Sequence, residues 1–326
     1  MNQSIVGFVA IGRNEGERLI ACIESLRAAG GGPVAYVDSG SSDNSLNAAR
    51  DLGAETIALD MSIPFTAARA RNAGAKRLIE AHHPRYIQFI DGDCTLADGW
   101  LAAARAFLDN RPDVAVVCGR RRERFPEKSL FNRLCDLEWD TPVGEALACG
   151  GDALIRAEAL IAAGFYNDGL VAGEEPELCV RLRERGWKIW RLDAEMTVHD
   201  AAMTKFGQWW TRAKRAGHAY AEVSALHLKS PQRIWARETA RAFVWASIAP
   251  ASILLALLFG PAYLALLAVY PAQFLRLCLS GRSRLGVLAA PAAALSVIGK
   301  FAESAGAAKY YLTRLSGRRS RLFEYK

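Results

Sequence analysis

The chain has 326 residues, of which 51% are hydrophobic, and a formal net charge of +7 at pH 7. This length accommodates one sizeable domain and an additional segment. The sequence contains no nucleic-acid-binding motif, and its basic residues cluster at 120–124 and 300–326. The positive charge therefore favours binding to an anionic membrane surface over binding to nucleic acid. Seven cysteines without paired spacing predict neither a disulfide framework nor a zinc site.

Strand-like and helix-like segments alternate along the first part of the chain. The first apolar stretch, residues 5–11, is interrupted by Gly7 and lacks a preceding basic region, so it predicts a strand rather than a secretory signal. Further strands are predicted at 34–38, 56–59, 86–90 and 114–118, separated by helices at about 15–29, 44–52, 65–81 and 98–108. This alternation predicts an α/β fold with a doubly wound, mostly parallel sheet covered by helices on both faces.

The segment YIQFIDGDCT, residues 86–95, carries two carboxylates directly after a buried strand. In a doubly wound sheet, ligands bind at the carboxyl ends of the strands, where Asp91 and Asp93 would lie. Oxygen ligands on a tight turn suit Mg²⁺ or Mn²⁺, with substrate phosphates as further ligands. Taken alone, Asp-Gly-Asp is also an ordinary polar turn, so the metal interpretation depends on the rest of the chain.

Polar residues also follow the first two predicted strands. The first strand is followed by Gly12–Glu15, which includes Arg13, and the second by Asp38–Asp43. Because parallel strands deliver their last residues to the same edge, we expect both segments to meet Asp91 and Asp93 around one crevice.

Five segments in this order resemble the successive motifs of family 2 inverting glycosyltransferases: VAIGRNEGERL, VAYVDSGSSDNSL, ARARNAGAKRL, FIDGDC and GEEPELCVRLRERGW. The resemblance covers roughly the first two-thirds of the chain. It implies a GT-A fold and a UDP- or GDP-sugar donor, and it points to the membrane-associated bacterial members of the family.

The resemblance also implies a role for each matching position on the donor side. Asp38 would contact the base or the ribose, and Arg71 would reach the base region. Asp91 would hold the ribose or the metal. Gly150 and Gly151, in CGGDALIRAEAL, would lie where the backbone passes close to the donor sugar. Many relatives have Asp-Asp where this chain has Asp38 and Ser39, so the contact of the second carboxylate is altered here.

The metal and the leaving group have their own predicted residues. The resemblance makes Asp93 a direct metal ligand and puts His199 near the diphosphate or the metal, although a lone histidine is more often structural. Departure of a nucleotide diphosphate concentrates negative charge, which a divalent cation, Arg71 and Arg13 would stabilise. Without the resemblance, Arg71 would be interpreted as part of a solvated helix face.

Glu174 and Glu175 open a helix that is predicted to end near Gly186. Acidic residues at a helix start complement the helix dipole, which is the simplest explanation for both. The resemblance instead makes one of them the general base that takes a proton from the acceptor hydroxyl. Relatives usually carry Glu-Asp here with the base second, which favours Glu175 over Glu174.

The segment 208–222 is predicted to be a helix of mixed aromatic and basic character. Trp209, Trp210 and Arg212 suit a membrane interface, and in relatives a similar segment lies under the acceptor site. Simple packing of the two tryptophans is the alternative.

The chain between Arg241 and Arg276 contains no charged residue. A single helix of this length would exceed a bilayer core, so two helices, about 242–259 and 262–279, are predicted to turn at Gly260 and Pro261. Arginines flank both ends, which predicts that both are cytoplasmic. Residues 285–315 are predicted to be an interfacial amphipathic segment leading to a basic tail. The alternative is a third span, which would place the basic tail outside, against the usual charge bias.

These observations predict three regions: a catalytic domain at 1–230, a transmembrane hairpin at 231–284, and the interfacial segment with its tail at 285–326. The predicted activity is metal-dependent transfer of a hexosyl group to a lipid-linked or cell-envelope glycan acceptor at the inner membrane, with the catalytic domain in the cytosol. The alternatives are a processive polysaccharide synthase and a non-catalytic membrane scaffold with the same fold. A nucleotidyltransferase would need a Gly-rich phosphate loop that Gly12–Gly16 lacks.

Overall fold

A computed structural model of the chain describes residues 6–30 and 32–317. The chain divides into two compact units, Met1–Ala202 and Met203–Lys326. The predicted basic tail after residue 317 lies outside the described residues. The predicted region boundaries at 230 and 284 stay predictions.

The described part of the first unit contains one nine-stranded sheet with the order β3-β2-β1-β4-β8-β6-β9-β5, and β7 pairs with β9. The strands are β1 Val6–Gly12, β2 Val34–Asp38, β3 Glu55–Ala58, β4 Tyr86–Asp91, β5 Cys94–Leu96, β6 Val114–Glu123, β7 Gly144–Ala146, β8 Ala153–Arg156 and β9 Lys188–His199.

Most strands of the sheet run in the same direction. The pairs β1–β2, β1–β4, β2–β3 and β6–β9 are parallel, whereas β8 is antiparallel to both β4 and β6. The register pairs Ile11 with Asp91 and Gly12 with Asp38, so three adjacent strands end at one edge. This confirms the predicted α/β fold with a mostly parallel sheet. Strands β5, β7 and β8 are antiparallel to their neighbours and make the sheet mixed.

Seven α-helices accompany the sheet in the described part of this unit: α1 Glu17–Gly30, α2 Ser45–Asp51, α3 Ala67–His82, α4 Trp100–Asn110, α5 Leu130–Glu138, α6 Ala157–Ala162 and α7 Glu174–Glu184. Side-chain caps define two of the helix starts. Thr66 Oγ1 accepts a hydrogen bond from Arg69 N at 3.1 Å at the start of α3, and Ser129 Oγ accepts one from Asn132 N at 2.9 Å at the start of α5.

The hydrophobic core of the first unit lies on both faces of the sheet. Strands β1, β2 and β4 are buried along nearly their whole length, which gives continuous apolar runs instead of alternation. Their side chains pack with buried residues of α1 and α3, such as Leu19, Ile23 and Leu78. A rigid core on both faces therefore supports the edge at which β1, β2 and β4 end.

Two strands extend further than their apolar residues predict. The predicted strand 114–118 continues to Glu123, because Arg120–Glu123 pair with β9 through a register that contains bulges. The apolar residues at the start of β9 predict a strand over 188–192, and the strand continues to His199. The extensions bring charged side chains of β6 and β9 to the polar edge of the sheet.

The described part of the second unit is helical. It comprises α8 Phe206–Leu226, α9 Ala236–Phe259, a 3₁₀ helix Pro261–Ala268, α10 Val269–Leu285, a short 3₁₀ turn Gly286–Leu288 and α11 Ala289–Leu315. Helices α8 and α11 pack at the distance that glycine permits, because a Cβ atom on Gly217 would overlap the Glu303 carbonyl oxygen and one on Gly306 would overlap that of Lys214. His218 and Tyr310 form an edge-to-face pair at 5.6 Å in the same interface.

Two helical segments of this unit, Ala236–Phe259 and Pro261–Leu315, are long and apolar enough to cross a membrane. In the most apolar 18-residue stretch of each segment, only 11% and 28%, respectively, is buried within the chain. The chain turns at Gly260, as predicted from the sequence. The single helix predicted at 262–279 is instead divided into the 3₁₀ helix Pro261–Ala268 and the start of α10.

A side chain interrupts the backbone ladder of α9 near Pro250. The Tyr270 hydroxyl donates to the Trp245 carbonyl at 2.7 Å and accepts from Ala249 N at 3.1 Å. A hydroxyl inserted into the ladder next to a proline is a usual cause of a helix bend.

Candidate active site

Asp38 ends β2 and organises the turn that follows it. Its Oδ2 accepts hydrogen bonds from Gly40 N at 3.0 Å and Ser41 N at 2.9 Å, and its Oδ1 accepts from Tyr36 Oη at 3.1 Å. The Asp38 residue is 2% exposed. Burial, together with the Asp38 carboxylate, raises the pKa of the Tyr36 phenol, so this hydroxyl stays a donor.

Asp91 ends β4 and lies between two arginines. Its Oδ1 is 2.9 Å from Arg71 Nη2, and its Oδ2 is 3.2 Å from Arg121 Nη2. The next residue, Gly92, donates its N–H to the Ile11 carbonyl at 2.7 Å, which holds the turn against β1. The Asp91 side chain is still 30% exposed, so a ligand can reach the carboxylate.

A second, fully buried aspartate lies behind this strand end. Asp152 Oδ1 accepts a hydrogen bond from Asp91 N at 3.1 Å. Its Oδ2 accepts from Arg121 Nε at 3.0 Å and from Thr197 Oγ1 at 2.6 Å. The Asp152 side chain is completely buried, so these donors replace the water that an ionised carboxylate requires.

Arg71, on α3, joins Asp91 to the start of α7. Arg71 Nη1 is 2.8 Å from Glu174 Oε1 and 2.8 Å from Glu175 Oε1, while Nη2 binds Asp91. The guanidinium is 5.9 Å from the centre of the Tyr166 ring. With 4% of its side chain exposed, Arg71 is a buried counter-ion for three carboxylates.

This arrangement alters the ionisation of Glu175. Burial and the neighbouring Glu174 raise the pKa of Glu175 to about 7, and the Arg71 guanidinium opposes this rise. Its side chain is 12% exposed, compared with 5% for Glu174. Glu175 is therefore the more accessible of the two carboxylates and has a pKa near neutrality, as a general base requires.

Gly151 lies in close contact with this cluster. A Cβ atom at position 151 would overlap Arg71 Nη2 and would lie 3.2 Å from Glu175 Oε1 and 3.3 Å from Asp91 Oδ2. At Gly150 a Cβ atom would meet nothing within 4 Å. The glycine at 151 therefore leaves room for the carboxylates that flank it.

Asp93 and His199 form a separate pair, with His199 Nε2 3.4 Å from Asp93 Oδ2. Burial and Arg121 lower the pKa of His199 to about 4, so the imidazole is neutral and able to ligate a metal. Among the described residues its Nδ1 has no hydrogen-bond partner, and Trp139 packs edge to face on the ring at 5.0 Å.

These donor atoms fit a divalent cation. Asp93, Cys94 and His199 form one group with ligand atoms within 4.8 Å of one another, and Asp91, Cys94 and Asp152 form a second. Burial raises the pKa of the Cys94 thiol, so it is not a thiolate, and the carboxylate and imidazole donors suit a hard or borderline ion such as Mg²⁺ or Mn²⁺.

The structure brings together most of the residues predicted for the site. Five of them form one cluster: Arg71, Asp91, Gly151, Glu174 and Glu175. Asp93 and His199 form the adjacent pair, Asp38 lies at the end of the strand next to β1, and Arg13 is exposed in the loop after β1. Trp209, Trp210 and Arg212 lie on α8 in the second unit, where Phe206 packs on both tryptophans.

Sequence reasoning missed Arg121 and Asp152. Side chains alternate along a strand, which puts Arg121 on the face opposite to Arg120 and Arg122. In the structure, Arg120 and Arg122 bind Asp136. Arg121 binds Asp152 on the other face. The alternation was thus a usable signal for Arg121. No sequence signal marked Asp152.

Comparisons with known proteins agree with this fold. The profile of the family described as Glycosyl transferase family 2 matches residues 9–142. Among solved structures, the mannosyltransferase PcManGT from Pyrobaculum calidifontis, in complex with GDP-Man and Mn²⁺, is similar with a TM-score of 0.66 and 16% identity over 95% of this chain and 88% of that chain.

S. aureus TarS is similar as well. Its fragment 1–349 has a TM-score of 0.53 and 14% identity over 96% of this chain and 92% of that chain. The same fragment in complex with UDP-GlcNAc has a TM-score of 0.52 and 13% identity, with the same coverage. Identities this low show the fold alone. The comparison with curated proteins gives no match.

The fold is thus the GT-A type of glycosyltransferases, with acidic residues at the carboxyl edge of its sheet. The family match identifies residues 9–142 as a family 2 glycosyltransferase domain.

Proposed function

We propose that the chain transfers a sugar from a nucleotide-diphospho-sugar to an acceptor hydroxyl with inversion at the anomeric carbon. The observation that carries the proposal is Glu175, a carboxylate with a pKa near 7 that Arg71 holds beside Asp91. An inverting transfer needs one base near the acceptor and stabilisation of the departing nucleotide on the opposite side.

Glu175 is the proposed general base. It would take the proton from the acceptor hydroxyl while that oxygen attacks the anomeric carbon from the face opposite the nucleotide. A pKa near 7 leaves a large fraction ionised at neutral pH and keeps the carboxylate basic enough to accept the proton. Glu174 would raise the basicity of Glu175 through its charge, since both carboxylates share one guanidinium nitrogen of Arg71.

Asp93 and His199 would hold Mg²⁺ or Mn²⁺, and Asp91 would contribute to the metal or to the ribose. When bound, the cation neutralises the charge that develops on the nucleotide diphosphate as it leaves. Asp38 would contact the base or ribose at the end of β2. Arg71 is predicted from the resemblance to reach the base region, but its guanidinium binds three carboxylates, which favours a role in holding Asp91 and Glu175.

The donor is proposed to be a UDP- or GDP-sugar. The similar structures contain GDP-Man with Mn²⁺ in one case and UDP-GlcNAc in the other, which supports a donor of this class for the shared fold. Gly151 would let the donor sugar approach between Asp91 and Glu175, where a larger side chain would fill the space.

The acceptor is proposed to be a lipid-linked or cell-envelope glycan at the cytoplasmic face of the inner membrane. The second unit supports this proposal because its apolar segments are long enough to cross a bilayer and are mostly exposed. Arg233, Arg237 and Arg241 precede the uncharged stretch, and Arg276 follows it, as expected for a hairpin with both ends in the cytoplasm. Trp209, Trp210 and Arg212 on α8 would lie at the membrane interface on the acceptor side.

A donor panel tests this proposal. The full chain, purified in detergent, is incubated with UDP- and GDP-sugars and with Mn²⁺ or Mg²⁺, and release of the nucleotide is measured with and without a lipid-linked acceptor pool. We expect one donor to be consumed and EDTA to stop the reaction. Nucleotide binding without turnover of any donor would favour the non-catalytic scaffold instead.

A further inference from the structure

We propose that Arg121 and Asp152 are positioning residues that fix the orientation of the Asp91 carboxylate for the donor. The inference rests on the proposed function and names two further residues that serve the same site. Neither residue was predicted from the sequence to have a role in the site.

The geometry holds Asp91 at three points. Arg71 binds Oδ1 at 2.9 Å, Arg121 binds Oδ2 at 3.2 Å, and Asp152 accepts the backbone N–H at 3.1 Å. Strand pairing with Ile11 and the hydrogen bond from Gly92 N hold the main chain of Asp91, so the orientation of the side chain depends on the two arginines. Fixing both carboxylate oxygens and the backbone leaves a single arrangement for a ligand to meet.

Arg121 is itself fixed by Asp152. Its Nε and Nη2 both reach Asp152 Oδ2, at 3.0 and 2.6 Å, and Nη2 also reaches Asp91 Oδ2. The Trp139 ring covers the guanidinium at 5.5 Å. A planar fork of this kind can serve two carboxylates in one plane, whereas the point charge of a lysine cannot.

Asp152 is buried too deeply to meet a substrate directly. Its side chain is completely buried, and Thr197 Oγ1 completes its hydrogen bonding at 2.6 Å. A buried carboxyl group that three residues hold next to a strand end is expected to act through the residue that it orients. The Asp91 side chain, at 30% exposure, is the part of this network that a ligand would touch.

The test compares Arg121→Lys and Asp152→Asn with the control Arg122→Lys. Arg122 lies on the same strand but binds Asp136 and Glu195 instead. Binding of GDP and UDP in the presence of Mn²⁺ is measured by calorimetry, together with kcat, KM and the melting temperature. Arg121→Lys and Asp152→Asn are expected to raise the nucleotide Kd about 10- to 100-fold, and Arg122→Lys less than about twofold.

Two further readouts separate orientation from folding. The double variant Arg121→Lys/Asp152→Asn is expected to have a nucleotide Kd no higher than that of the single variant with the higher Kd, because the two residues act as one unit. Thr197→Val, which retains the shape of the side chain and all charges, is expected to raise the Kd about threefold through the loss of one hydrogen bond. It provides a test that does not depend on the folding of the Arg121 variant.

The outcomes distinguish this inference from the proposed function. If the wild-type protein binds GDP or UDP and the Arg121, Asp152 and Thr197 variants bind it equally well, the positioning role is wrong and the glycosyltransferase proposal stands. If the wild-type protein binds neither nucleotide, the proposed function fails and this inference fails with it.

Discussion

Arg71 Nη2 lies 2.9 Å from Asp91 Oδ1, which joins a helix of the first unit to the tip of the central strand. The same guanidinium holds Glu174 and Glu175 through its other terminal nitrogen. The carboxylate proposed to face the donor and the carboxylate proposed to activate the acceptor are therefore held by one buried cation.

Glu175→Gln is expected to lower kcat about 10²- to 10⁴-fold while nucleotide binding is retained, because the amide cannot accept the acceptor proton. Turnover is measured by nucleotide release and binding by calorimetry. Glu174→Gln is the matched control and should lose less activity. Full turnover by the Glu175 variant would contradict its assignment as the base.

The dependence of kcat/KM on pH should report the ionisation of Glu175. Burial and Glu174 raise its pKa to about 7, so protonation would remove the base below that pH. We expect kcat/KM to fall about tenfold per pH unit on the acidic side and to level off above pH 8 or so. A rate that stays constant from about pH 5 to 8 would show that no group with this pKa is required.

Arg71→Met should destabilise the first unit, because Glu174 and Glu175 would lose their buried counter-ion and Asp91 would lose one of its arginine contacts. The expected cost is about 3–5 kcal/mol, measured as the free energy of unfolding in urea. The control is Arg77→Met on the same helix, where the half-exposed arginine pairs with Glu55 and should cost less than about 1 kcal/mol. Equal stability of the two variants would mean that the carboxylates find other partners.

Gly151→Ala should reduce activity strongly, because the added methyl group would overlap Arg71 and crowd Glu175 and Asp91. A displacement of about 1 Å at such a site lowers rates by about 10²-fold. Gly150→Ala provides a control one residue away, since a Cβ atom there meets nothing within 4 Å. Similar activities of the two variants, measured by donor turnover, would rule out the close approach at position 151.

Gly217→Ala should loosen the packing of α8 on α11, because the new Cβ atom would overlap the Glu303 backbone. We expect a loss of about 1–3 kcal/mol, detected as a lower melting temperature of the second unit in detergent. Gly207, at the start of α8, has open space at its Cβ position, and Gly207→Ala should leave the melting temperature nearly unchanged. Identical melting curves would argue against the glycine-dependent contact.

The sequence by itself determined the α/β fold and most elements of the first unit. Apolar runs such as Tyr86–Ile90 predict buried strands because the signal lies in neighbouring residues. The same local signals located Asp91 and Asp93 at a strand end and predicted an apolar turn at Gly260. Family resemblance added Glu174 and Glu175, which a helix-dipole argument alone would have explained as capping.

Only the tertiary structure decided which charged groups are partners. Arg71 and Glu174 are 103 positions apart, and Arg121 and Asp152 are 31 positions apart, so no local pattern could pair them. Strand β8 has only four residues, which is too short for a periodic pattern to identify it as a strand. Its position between β4 and β6 in the sheet brings the preceding residue, Asp152, next to Asp91. Secondary structure depends on neighbours along the chain, whereas the ionisation and orientation of buried carboxylates depend on neighbours in space.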